Sequence, residues 1–355
     1  MSISSLARAE IQALKPYEAA IQVDDTIRLN ANEAPWKSSG DHFRRPLNRY
    51  PEIRPAGLRA MLSSRYDCTP DNLMVTRGTS EAIDLLIRVF CRAGKDNLVT
   101  TRPTFSMYEH YAVVQGAELR QVTTSGDRDF KICADEILAA CDESTKLIFL
   151  CSPNNPTGTL LPTSVLIEIL ERRTDRSAVV VDEAYIEFAS KDSAVQLVQK
   201  YENLVVLRTL SKALAYAGAR CGSVIAAPDV IRILDAVQAP YALATPVVEC
   251  VENALQAASL EEAEHRVTET IRERGRLRAA LRRLPFVRRV WPSAANFILV
   301  EVADAHELMQ HSADDNVLLR YFGGDLADHV RITVGTPAEN DRLLESMSSM
   351  GVNGV

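Results

Sequence analysis

From residue 70 onward the chain alternates short apolar runs with longer amphipathic ones. NLMVT (72–76), NLVTT (97–101), LIFLC (147–151), AVVVD (178–182) and LVVLRT (204–209) read as strands, and GSVIAA (222–227) follows as another. Between them EAIDLLIRVFC (81–91), SMYEHYAVVQG (106–116) and VLIEILERR (165–173) read as helices. Near-continuous apolar runs, in place of strict alternation, predict strands covered on both faces, as in a mostly parallel sheet. The repeated β–α order predicts an α/β unit.

After about residue 245 the pattern changes. One long helical stretch is expected from Pro246 to Leu284, then NFILVEV (296–302), a helix and HVRITVG (329–335). Few strands with helices predict a smaller α+β domain. The expected division is a large α/β domain over 46–260 and a small domain formed by 1–45 with 261–355, the first segment acting as an N-terminal arm across the seam.

A chain of 355 residues exceeds the usual single core, in keeping with that division. The net charge of −7 gives no reason to expect nucleic acid or an acidic membrane as partner. The arginine-rich stretch 272–289 follows glutamates and reads as a solvated helix face. Seven cysteines form no CxxC pair, and their odd number argues against a disulfide framework. A reducing, cytoplasmic setting is expected. The six histidines show no HExxH spacing, so no metal is expected. The N-terminus lacks the apolar core of a signal peptide, and no run approaches membrane-spanning length.

In open α/β sheets ligands gather at the carboxyl ends of the strands. Here those ends deliver Gly78-Thr79-Ser80, then Phe105 and Tyr108, Asn154 and Asn155, Asp182 and Tyr185, and finally Ser211 and Lys212 with Arg220 beyond. Singly, each has a plain explanation. A GTSE turn caps a helix, NNPTG makes a turn, and a lysine usually sits on the surface. Together they match what pyridoxal phosphate (PLP) requires. A lysine forms the Schiff base, an aspartate pairs with the pyridine nitrogen, and an aromatic covers the ring. Turn N–H groups, hydroxyls and an arginine hold the phosphate. No GxGxxG or GxxxxGK[ST] stretch follows a strand, which sets aside a nucleotide-binding α/β protein.

The chain resembles the fold-type-I PLP-dependent aminotransferases. SPNNPTG, DEAY and the RTLSK block, in that order, carry the resemblance. Within them LNANE, NRYPE and VRITVGT resemble the histidinol-phosphate aminotransferase family. The resemblance implies Lys212 as the Schiff-base lysine and proton shuttle, and Asp182 as the partner of the pyridine nitrogen. It implies Tyr185 and Asn155 on the phenolic oxygen, and Tyr108 as the ring-stacking residue, with Phe105 the second choice. Gly78, Thr79, Ser80, Ser211 and Arg220 form the implied phosphate cup. Tyr50 is implied to reach the neighbouring subunit's cofactor, so a homodimer is expected. Arg331 is implied to grip the substrate's anionic group, with Arg320, Tyr17 and Asn32 as further substrate-binding candidates.

The implied reaction moves an amino group between L-histidinol phosphate, which gives imidazole acetol phosphate, and 2-oxoglutarate or L-glutamate, in histidine biosynthesis. Sister branches act on aromatic amino acids or threonine phosphate with the same cofactor residues. A PLP-binding regulator on this fold carries an added DNA-binding domain, and no basic helix-turn-helix block is present. Two departures stand out. The cradle reads Gly-Thr-Ser-Glu where the family often has Gly-Ser-Asp-Glu, and Trp36 occupies the usual aromatic position of the LNANE block.

Overall fold

The computed structural model describes residues 3–18, 20, 22 and 26–350. A short helix α1 (Ala9–Gln12) and α2 (Ala56–Arg65) lead into strand β1 (Leu73–Thr76) and helix α3 (Thr79–Phe90). Strand β2 (Asn97–Arg102), helix α4 (Met107–Gln115), strand β3 (Glu118–Thr123) and helix α5 (Ala134–Ala139) follow. Then come β4 (Thr145–Cys151), α6 (Thr163–Arg172), β5 (Ala178–Asp182), β6 (Leu204–Thr209) and β7 (Gly222–Ile225).

These strands form one seven-stranded sheet in the order β1-β7-β6-β5-β4-β2-β3. Only β7 runs against its neighbours, pairing antiparallel with both β1 and β6. The expected mostly parallel α/β sheet is therefore present, with one reversed strand. Alternate residues of each inner strand feed opposite cores. Ile148, Leu150, Val179 and Val181 join the core containing α2, α5 and α6. Leu147, Phe149, Ala178 and Val180 join the core containing α3, α4 and α7 (Pro228–Val237). Burying both faces explains the unbroken apolar runs, and each fully buried Val, Leu or Ile contributes about 1.5–3 kcal/mol.

The long helical stretch is two helices, α8 (Thr245–Ala254) and α9 (Ala257–Leu281), interrupted at Leu255 and Gln256. Beyond them β8 (Val287–Val290), β9 (Phe297–Val302), α10 (Ala305–Asp314), β10 (Arg320–Gly323), β11 (Leu326–Thr333) and α11 (Pro337–Met350) complete the chain. The four strands form an antiparallel sheet ordered β10-β11-β9-β8 with its own core, including Ile298, Val300, Ile332 and Leu343. Among the described residues no helix is long and apolar enough to cross a membrane.

The expected grouping of residues 1–45 with the small domain differs from what is seen. Ile3 and Ala7 are buried in the core of the seven-stranded unit. The Arg8 N–H donates to Val89 O of α3 at 2.9 Å. Further on, the Arg45 N–H donates to Glu249 of α8 at 2.6 Å. The first residues of the arm lie on the large unit because Ile3 and Ala7, with Leu6 and Ile11 beside them, pack into the core shared by α3 and α7.

Candidate active site

The carboxyl ends of β1, β4, β5 and β6 converge on a cavity of about 150 Å³. Thr79, Ser80, Asn155, Asp182, Tyr185, Ser211, Lys212 and Arg220 line it. Phe105, Cys151 and Thr209 line it as well.

One end of the cavity is built for an anion. Gly78 turns from β1 into α3 with φ +78°, and no side chain caps the helix. A Cβ at Gly78 would stand 2.7 Å from Nη2 of Arg220. Only glycine lets the guanidinium lie against this turn. A Cβ at Gly222, on the facing strand, would meet the Thr79 backbone N at 2.9 Å. Two glycines thus let β7, the α3 N-terminus and Arg220 close together. Uncapped N–H groups, the helix dipole and a guanidinium are the donor set that an anion such as a phosphate would meet here. The Thr209 hydroxyl donates to Ser211 Oγ at 3.0 Å, which orients that hydroxyl at the rim.

The floor carries the opposite charge. Asp182 ends β5 and is 1% exposed. Its Oδ2 accepts from the Tyr108 hydroxyl at 2.9 Å, and its Oδ1 accepts from the Ala184 N–H at 3.2 Å. Burial raises its carboxyl to about 6, against the pull of those two donors, and among the described residues no cation contributes. A buried carboxylate without a cation is costly, and a protonated pyridine nitrogen would supply the missing charge. The residues present therefore fit PLP. The loop after Asp182 is pinned by buried ion pairs. Arg208 contacts Glu183 at 3.6 Å and Glu187 at 2.7 Å, and the Ala194 N–H donates to Glu183 at 2.7 Å.

Lys212 is an exposed residue, yet its amine is held below the ordinary lysine value. Loss of surrounding water is the main cause, followed by the guanidiniums of Arg331 and Arg220. Its Nζ lies 5.7 Å from the centre of the Tyr185 ring. Burial pushes the Tyr185 hydroxyl up, so it stays protonated and can donate. The two asparagines of SPNNPTG part company. Asn154 locks the turn, donating to Pro103 O at 3.0 Å and Thr157 Oγ1 at 2.9 Å. Asn155 Oδ1 accepts from Arg331 Nη1. Its amide N–H₂ is thereby left as the donor for a ligand.

Arg331 comes from the small sheet. Its guanidinium lies 5.2 Å from the Phe297 ring and 5.4 Å from the Phe322 ring. Its Nε is buried without a hydrogen-bond partner, and among the described residues no carboxylate pairs with it. Such a cation, poised beside Asn155 and Tyr185, is placed for an incoming anion.

The ring-stacking assignment needs correction. Tyr108 is fully buried and does not line the cavity. It sits in the first turn of α4, stacks on Phe149 at 4.9 Å and points its hydroxyl at Asp182. Phe105, one helical turn earlier, takes the place at the cavity wall. Asn32, Tyr50 and Tyr17 are not brought to this cavity, nor is Arg320. Asn32 and Tyr50 line a separate recess with Ala244 and Pro246. Tyr17 meets Tyr241 edge-on at 6.3 Å, and Tyr241 stacks on Tyr50 at 4.7 Å. Asn32 and Tyr50 thus sit beside the start of α8.

Comparison with known proteins agrees with this geometry. The family model for aminotransferase class I and II matches residues 26–347. The histidinol-phosphate aminotransferase of Xanthomonas campestris pv. campestris (strain B100) is 42% identical over 353 residues, covering 98% of this chain and 97% of that protein. Histidinol-phosphate aminotransferase 1 of Pasteurella multocida (strain Pm70) is 40% identical, covering 98% and 99%. The crystal structure of the Sinorhizobium meliloti histidinol-phosphate aminotransferase, in complex with pyridoxal-5'-phosphate, shares the fold. It aligns with a TM-score of 0.79 at 21% identity, over 87% of this chain and 84% of that one. With a family match over most of its length and such relatives end to end, the chain belongs to the class I and II aminotransferases and, within them, to the histidinol-phosphate aminotransferase family.

Proposed function

We propose that this chain uses PLP to exchange an amino group between L-histidinol phosphate and 2-oxoglutarate, giving imidazole acetol phosphate and L-glutamate in histidine biosynthesis. The observation that carries this reading is a single cavity holding Lys212, the cation-free Asp182 and the uncapped α3 N-terminus, with unpaired Arg331 at its edge. Relatives named for this activity at 40–43% identity support the choice of substrate.

When bound, PLP supplies an electron sink for the bond cleaved at the substrate's α-carbon. The chain's own residues do the rest. Thr79, Ser80, Ser211 and Arg220 hold the phosphate through N–H groups, hydroxyls and a guanidinium. Asp182 pairs with the ring nitrogen and keeps it protonated, while Phe105 covers one ring face. Tyr185 and the Asn155 amide donate to the phenolic oxygen. Lys212 holds the cofactor until substrate arrives, and its free amine then takes the α-proton and returns it. Its lowered pKa keeps more of the amine unprotonated, as a base must be. Arg331 binds the phosphate of one substrate and a carboxylate of the other, since a planar guanidinium pairs with both.

A homodimer completes the reading. Ile27, Leu29 and Trp36 are 89%, 89% and 81% exposed, an apolar surface of the kind a partner covers. Tyr50, on the same segment and half exposed beside Tyr241, would then reach the partner's phosphate site, with Tyr17 and Asn32 beside it. A cytoplasmic location accords with seven free cysteines.

The test is rapid-mixing absorbance of the PLP-loaded protein against L-histidinol phosphate, phenylalanine and threonine phosphate in separate runs. Fast loss of the cofactor's visible band with histidinol phosphate, restored by 2-oxoglutarate and absent in Lys212→Ala, is expected. A response confined to phenylalanine or threonine phosphate would move the chain to a sister activity.

A further inference from the structure

Tyr108 touches Asp182 without touching the cavity, and that contact has a defined geometry. Its hydroxyl donates to Oδ2 while the Ala184 N–H donates to Oδ1. Donors on both oxygens fix the rotation of the carboxylate. The phenol ring is itself fixed, stacked on Phe149 at 4.9 Å and 19° and met edge-on by Phe105 at 5.8 Å and 88°. Cys151 stands opposite Asp182 in the β4–β5 register, but its thiol donates to Pro153 O at 3.3 Å. The hydroxyl and the Ala184 amide are thus the donors that hold the carboxylate.

We infer that Tyr108 is a positioning residue for the cofactor's ring nitrogen: its hydroxyl keeps Asp182 ionised and aimed, while its ring backs the Phe105 plate. This inference rests on the proposed PLP reading. The choice of a phenol has a physical reason. A lysine or arginine here would neutralise Asp182 and compete with the pyridinium for its charge. A backbone amide alone would leave one oxygen unheld. A neutral hydroxyl stabilises the carboxylate through one hydrogen bond and leaves its net charge for the ligand. Burial and the nearby Asp182 charge keep the phenol protonated, so it can serve only as donor toward that carboxylate.

The experiment is a comparison of two ligands on the cofactor-free protein. One is PLP. The other is the analogue in which C–H replaces the ring nitrogen, which cannot pair with Asp182. The wild type is expected to prefer PLP. Tyr108→Phe is expected to cut that preference about tenfold, with affinity for the analogue changed by less than about twofold. In an Asp182→Asn background the same substitution is expected to leave the preference unchanged. A purely structural tyrosine would weaken both ligands equally, and that result overturns the assignment. Wild-type protein showing no preference rejects the role of Asp182 and with it the cofactor reading. A preference that survives Tyr108→Phe rejects Tyr108 alone. Should Tyr108→Phe not fold, 3-fluorotyrosine placed at 108 keeps the ring and strengthens the donor. The preference must then rise, and an unchanged value overturns the inference.

Discussion

Arg320 stands directly opposite Arg331 across the antiparallel β10–β11 pair, and both guanidiniums lie against the ring of Phe322. Two like charges side by side repel, and Arg320 contributes to holding the Arg331 pKa below its ordinary value, behind the larger effect of burial. An anion bound between them would relieve that repulsion. The arginines are not equivalent, because Arg331 is half-buried and bonded to Asn155 whereas Arg320 is exposed.

Arg331→Ala is therefore expected to lower kcat/KM for histidinol phosphate and for 2-oxoglutarate by about a hundredfold, a loss of roughly 3 kcal/mol. Arg320→Ala is expected to cost less than about tenfold. Steady-state kinetics with each substrate varied decides the matter. Equal losses from the two substitutions would remove the distinction drawn between them.

Burial of Asp182 sets a pH dependence in the cofactor-free protein. Its folded-state carboxyl is raised from 3.8 to about 6, so the folded form binds the proton more tightly than the unfolded form does. Stability from this group is present at low pH and is lost as pH rises through about 4 to 6. Above that window the buried charge costs up to about 3 kcal/mol. Cofactor-free Asp182→Asn is expected to melt higher than the wild type near pH 8, with the gap closing toward about pH 5. Adding PLP is expected to reverse the order, since only the wild type gains the ion pair. Calorimetry across that range checks both signs.

Gly78→Ala places a methyl group against Arg220 in a backbone region that L residues avoid. The strain is about 1–3 kcal/mol, and the displaced guanidinium is expected to weaken PLP binding about tenfold or more. Gly94→Ala is the control. Gly94 also has positive φ, but nothing stands within 4 Å of its Cβ position. It is expected to lower the melting temperature modestly and leave PLP affinity unchanged. Melting curves and cofactor titration separate strain from loss of the anion site.

The large sheet was legible because its inner strands are buried on both faces and read as unbroken apolar runs. Strand β3, ELRQVT, was not, since at the sheet edge it keeps polar and charged side chains in contact with water. Strands β8, VRRV, and β10, RYFG, escaped for the same reason. The break between α8 and α9 carries no proline or glycine to announce it. Order along the chain placed the strand-end residues of the cavity, because a parallel sheet presents them at one edge. Order could not decide between Phe105 and Tyr108. They lie three residues apart, and only the start of α4 turns one outward and the other beneath Asp182. Nor could it show that the arm settles on α7 and α8, a choice made by surfaces distant in sequence.

Lys212, Asp182, Arg220 and the α3 N-terminus all belong to the seven-stranded unit, whereas Arg331, Arg320 and Phe322 arrive on the four-stranded sheet. The site is thus assembled from two cores, joined where Arg331 meets Asn155. A change at Arg331 is therefore felt on both sides of the site, because its guanidinium bonds Asn155 and, after burial, depresses the Lys212 amine.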